Sequence, residues 1–201
     1  MMIARPIVAG TVAGAVLGDI PTGILLGVMF ELLQYDILPV GAVRYPEYGP
    51  ATVAAVATAH SAPGVLGLGL GALVGIVTGL VGGVSINELR RWNSRVIHAA
   101  AATLESGDPR ALVRLHVGAL LRDALRAAVV TAFGLFLAWL ARPLLAGPLS
   151  ARDAIVLATA AVAAALAAGA AGTLRLVGKG PNLRWFAAGL GGGLLVSVWL
   201  Q

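Results

Sequence analysis

Carboxylates stand where this chain is most apolar. Glu31 lies within "LLGVMFELL", Asp36 follows shortly after, and Glu47 sits in "VRYPEYGP". A carboxylate inside a membrane segment faces a cavity or a partner and marks a substrate or ion path. A helix end wetted at an interface would also accommodate Glu31. Asp36 and Glu47 are each explained by a solvated loop when taken alone, and gain meaning only together with Glu31. Asp19 precedes Pro21 and reads as a helix cap, and Arg5 reads as an interfacial anchor. Other chemistries find little support. His60, His98 and His116 are never three or four residues apart, so no metal set is expected. There is no cysteine, and Ser61, Ser85 and Ser94 lack a base and an orienting group. The glycines form no G-x-x-x-x-G-K-[ST] cradle, so neither a catalytic centre nor a bound cofactor is expected.

The elements that must position these acids belong in a bilayer. Of 201 residues, 59% are hydrophobic and 11% charged, with a mean hydropathy of +0.91. A soluble domain does not fit that composition. The apolar segments are continuous rather than alternating, which excludes a barrel and predicts an all-α, polytopic membrane protein. A net charge of +5 does not indicate nucleic acid, because the arginines lie between apolar segments and act as topology signals. "MMIARPIVAG" lacks a charged n-region followed by a small-residue cleavage site, so residues 7–18 are expected to belong to the mature membrane domain.

Apolar stretches cover residues 6–38, 51–86, 112–146, 153–174 and 183–200. The last two have the length of single spans, of about 20 residues. Residues 6–18 are too short, and Asp19 with Pro21 then predicts a broken or re-entrant helix, Asp19 capping and Pro21 occupying the first turn. "QYDILPVGAVRYPEYGP", residues 34–50, reads as irregular chain, which survives at membrane depth only against protein or water. Gly67, Gly71, Gly75, Gly79 and Gly83 recur every four residues and predict a flat stripe on one helix face. Gly10, Gly14 and Gly18 repeat the device, and Gly23 and Gly27 put Glu31 on a glycine face directed inward. Residues 87–115 carry Arg90, Arg91, Arg95, Arg110 and Arg114 against Glu88, Glu105 and Asp108, which predicts a cytoplasmic segment beginning as an amphipathic helix. Arg175, Lys179 and Arg184 place their linker on the same side.

"RPIVAGTVAGAVLGDIPTGILLGVMFELL", continuing through "LPVGAVRYPEYGPATVAAVATA", resembles the membrane IIC subunit of the mannose/fructose/sorbose class of the bacterial phosphotransferase system. "RRWNSRVIHAAAATLESGDPRALVRLHVGALLRDALRAA" resembles it too, so the motifs cover about residues 4–128 of a single domain over 1–201. The resemblance implies a sugar pathway shared with a IID membrane subunit, with cytoplasmic IIA and IIB subunits supplying the phosphate. It implies that Glu31, helped by Asp36 and Glu47, lines the sugar site. The family carries a further membrane element ahead of its Arg-Pro, expected to be missing here, and Pro39 and Pro46-Glu47 depart from its pattern.

The leading expectation is therefore a multi-pass inner-membrane permease subunit without a catalytic centre of its own. Its expected partners are a sugar, IID, IIA, IIB, the lipid bilayer and, in one arrangement, further copies of the chain. The alternatives are a non-transporting scaffold or regulator derived from the family, or an unrelated small-solute permease subunit.

Overall fold

The computed structural model describes residues 4–35, 37, 45–62, 64–147, 149–177 and positions 184, 185, 187–189, 191 and 192. Among these residues there are helices and no strands, so the all-α expectation holds. Asp36, Pro39 and most of the last apolar stretch, 183–200, lie outside the described residues.

The first apolar stretch forms two helices. α1 (Pro6–Leu17) begins with proline at its first turn, where no intrahelical N–H is lost, and stops at Gly18, whose φ of 78° is left-handed. α2 (Ile20–Gln34) opens on Asp19, whose side chain accepts from the Thr22 backbone N–H at 3.2 Å, with Pro21 in the first turn. At 1.5 Å per residue the two helices reach about 18 and 22 Å, short of a ~30 Å hydrocarbon core. They pack as a hairpin whose backbones touch. A Cβ on Gly14 would lie 2.6 Å from the Asp19 carbonyl oxygen and 3.0 Å from the Gly23 Cα, so a side chain there would separate the helices.

The second apolar stretch also divides. α3 (Tyr48–His60) starts inside the interval that reads as irregular chain, and α4 (Val65–Ala99) follows Gly64, whose φ is 82°. The glycine stripe of α4 is the floor on which α3 lies. Gly67 faces the Ala59 and Ala62 carbonyls, Gly71 the Ala55 carbonyl, Gly75 the Phe30 ring and Gly79 the Tyr48 ring. A Cβ on Gly75 would stand 2.8 Å from Phe30 Cε2 and 3.0 Å from the Ala55 Cβ. Gly75→Leu is therefore expected to cost about 1–3 kcal/mol or more by overpacking. A lowered melting temperature in detergent is the readout, and an unchanged one contradicts this packing role.

Buried polar atoms are satisfied locally. Thr52, Thr58 and Thr78, all fully buried, donate to the carbonyls of Tyr48, Ala54 and Val74 one turn back at 2.6–2.8 Å, as an apolar surround requires.

Among the described residues, three helices are long and apolar enough to cross a membrane: α4, α6 (Pro109–Ala146) and α7 (Ala151–Val177). α6 is one continuous helix, so the stretch 112–146 does not bend back. It packs on α3 and α4, and α7 covers α2 and α4. Many large apolar side chains of α6 and α7 point outward, among them Val129, Leu140, Ile155 and Leu166, as lipid-facing helices require. The hydrophilic interval 87–115 is largely helical. α4 runs on through Ala99 before the short α5 (Ala101–Glu105), and Gly107, with a φ of 77°, precedes Asp108, which caps α6 by accepting from Arg110 N at 2.9 Å.

Candidate functional site

Glu31 and Glu47 lie on elements that meet at the start of α3. Glu31, near the end of α2, points back at the beginning of α1. Its Oε1 accepts from Arg5 Nε at 2.7 Å and also from Arg5 Nη2, while Oε2 accepts from the Ile7 backbone N–H at 3.3 Å. Two attractions therefore act on one carboxylate, a guanidinium and the positive end of a helix. Arg5 is more than an interfacial anchor: it is the cation that accompanies Glu31. The pair is not sealed, since 48% of the Arg5 side chain and 20% of Glu31 remain accessible.

Glu47 has a different cation. Arg126 of α6 donates Nη1 to Oε2 at 2.5 Å and Nη2 to Oε1 at 2.8 Å, a two-pronged contact. Arg126 also reaches Asp123 Oδ1 at 2.8 Å and Ser85 Oγ at 3.1 Å, and only 11% of its side chain is accessible. The Glu47 backbone N–H donates to the Gly79 carbonyl at 2.9 Å, so both its main chain and its side chain are held by the long helices. Close by, Arg90 donates to the Tyr45 hydroxyl at 2.7 Å and stacks over its ring. A cleft of about 390 Å³ opens here, lined by Glu47, Arg90, Asn93, His116, Asp123 and Arg126 among others.

The two ion pairs share one level of the molecule. α1 and α2 approach the start of α3 through Ala4, which backs onto Gly49, and Phe30, whose ring lies 5.4 Å from that of Tyr48. α4 and α6 approach it through Gly79 and Arg126. Gly79 is about 21 Å along α4 from Val65, and the polar residues gathered around it form a belt against the start of α3. The elements that carry Glu31 and Glu47 thus meet at one helix start, and each acid has its own arginine. Asp36 lies outside the described residues. Asp19, Pro21, Gly23 and Gly27 lie in the α1–α2 hairpin, Asp19 as the cap of α2.

Arg126 and Asp123 were not singled out by the sequence reading, and Ser85 entered it only as a serine without a base. The available signal was Arg126 itself, the last charge of α6 before the apolar run that begins at Ala127.

Chemically the belt offers carboxylate acceptors beside guanidinium donors. That combination matches a hydroxyl group, which donates and accepts at once, and it stays soluble for a polar ligand where the surrounding helices would not.

Comparison with known proteins agrees in kind. The family model described as "PTS system sorbose-specific iic component" matches residues 1–191. The mannose-specific EIIC component of Escherichia coli K12 is 30% identical over 125 residues, 62% of this chain and 46% of that protein. The fructose permease IIC component of Bacillus subtilis is 31% identical over 127 residues, 63% of this chain and 46% of that protein. The sorbose-specific EIIC component of Klebsiella pneumoniae is 32% identical over 133 residues, 64% and 49% respectively. The chain spans about half the length of the relatives it matches.

Proposed function

The chain belongs to the sorbose-specific IIC family of the phosphotransferase system, and from that premise we propose that it is a membrane subunit that binds a sugar and passes it inward. Phosphorylation falls to separate IIA and IIB subunits in the cytoplasm, and a IID membrane subunit completes the pathway. The chain lies in the cytoplasmic membrane as a multi-pass protein. Mannose, fructose and sorbose stand in the names of its relatives, and a hexose is accordingly the substrate class.

The observation that carries this reading is the half-accessible Arg5–Glu31 pair. Two of the five guanidinium N–H donors of Arg5 are engaged by Glu31, leaving donors for a sugar oxygen, while Glu31 retains lone pairs for a sugar hydroxyl. Asp36 and Glu47 supply further acceptors on the same route. Contacts to a charged partner contribute about 1.5–3 kcal/mol each, enough for two or three of them to hold a small sugar against loss of its hydration. The sugar enters and leaves by alternating access, and no covalent step occurs on this chain.

The test is uptake of labelled hexoses by cells that lack their own mannose-class system and express this chain with its partner subunits. Saturable uptake that requires the chain is expected. Absence of uptake for every hexose tried, with all subunits present in the membrane, would overturn the proposal.

A further inference from the structure

Beyond the polar belt, α4 and α6 leave the apolar layer side by side, and a groove of about 560 Å³ follows the seam between them. One end is apolar: Leu125, Val129 and Val130 line it, and Leu125 and Val129 are 69% and 60% accessible. The other end is basic and aromatic, formed by Trp92, Arg95 and Arg122. Arg122 donates Nε to Asn93 Oδ1 at 2.8 Å and lies 5.7 Å from the centre of the Trp92 ring. Arg95 donates Nε to the Arg91 carbonyl at 3.4 Å.

The charges of this groove do not cancel. Arg126 is matched by Glu47 and Asp123, and Glu88 is matched by Arg91. Neither Arg95 nor Arg122 has a carboxylate at ion-pair distance among the described residues. Two uncompensated guanidiniums thus stand at one end of an apolar slot. Arg122 and Val129 are about 10 Å apart along α6. That places the arginines and the tryptophan in the headgroup layer when Val129 faces acyl chains.

We propose that this groove binds an anionic phospholipid, with its phosphate between Arg95 and Arg122 and its acyl chains along Leu125 and Val129. A phosphate oxygen pair fits the planar donors of arginine, and basic pockets between helices on the cytoplasmic side favour headgroups of net negative charge. The apolar half of the groove selects an amphiphile over a free anion. The site is separate from the Arg5–Glu31 pair and does not depend on sugar transport.

The test is native mass spectrometry of the full chain in detergent, titrated in parallel with phosphatidylglycerol, phosphatidylcholine and glycerol 3-phosphate. Phosphatidylglycerol should be retained, phosphatidylcholine should be retained about tenfold less, and glycerol 3-phosphate should not be retained. Arg95→Gln with Arg122→Gln should reduce phosphatidylglycerol retention about tenfold or more, since each arginine near an anionic headgroup acts separately. Equal retention by this double variant would overturn the site, as would equal retention of the two lipids by the unaltered protein. Retention of glycerol 3-phosphate matching that of the lipid would also overturn it, in favour of a small-anion site. If the double variant melts earlier without lipid, Arg95→Gln alone decides, because Arg95 is exposed on the helix surface. It should lose severalfold, and no loss would overturn the site.

Discussion

Glu31→Gln is expected to lower sugar affinity about ten- to a hundredfold and to bring uptake to background, while the protein still inserts and assembles. Glutamine keeps the shape and one acceptor oxygen but gives up the charge, and charge-assisted hydrogen bonds are roughly twice as strong as neutral ones. The structural cost is small. Arg5 is about half accessible, so water can solvate it once its partner is neutral, and exposed pairs of this kind contribute about 0–1 kcal/mol. A competing reading makes the pair a staple that closes the α1–α2 hairpin and nothing more. The exchange Arg5→Glu with Glu31→Arg separates the two, because it keeps an ion pair but moves the carboxylate. Normal melting with lost uptake is expected; normal uptake by either variant would remove Glu31 from the sugar site.

Arg126→Met should have the largest effect on stability. It leaves Glu47 without a cation in a place where only 18% of its side chain is accessible, and breaking a buried pair from one side costs about 3–5 kcal/mol. Asp123 contributes little to that loss, being 55% accessible and free to face water. The consequence follows from connectivity: Glu47 begins α3, and its anchor lies on α6, so the short-helix layer loosens from the long helices. Adding Glu47→Met to Arg126→Met should recover much of the stability, since an apolar pair of similar volume carries no unpaired charge. Melting curves in detergent for the two variants check this. A single variant as stable as the unaltered chain would show that the pair does not hold the layers together.

Much of this architecture follows from local rules. Continuous apolar stretches indicate an all-α membrane fold, and glycines spaced by four mark faces where backbones meet. A left-handed Gly18 followed by Asp19 and Pro21 ends one helix and starts another within a single turn. Features that depend on distant partners could not be read that way. Glu31 and Arg5 are 26 residues apart, and Glu47 and Arg126 are 79 apart. No periodicity links such positions; only the packing of α3 between the short hairpin and the long helices brings them together. The break between α3 and α4 did carry a signal, since Ser61, Pro63 and Gly64 stand between the two helices, but reading 51–86 as one apolar stretch passed over it. The helix expected at the start of 87–115 is present, and what the polar composition there hid is that it continues α4 without a break through Ala99. Hydrophobic pattern reports the solvent around an element and leaves its partners unspecified.

The central claim is that the Arg5–Glu31 pair belongs to a sugar site. Its most direct test is the melting temperature of the purified chain, alone and with a IID partner, across a panel of hexoses and in parallel with Glu31→Gln. A ligand at about a hundred times its dissociation constant stabilises by about 2.7 kcal/mol, a shift easily read. At least one hexose should raise the melting temperature of the unaltered protein, and the same hexose should leave Glu31→Gln unmoved. An equal shift in both proteins, or none in the unaltered protein with its partner present, would contradict the claim.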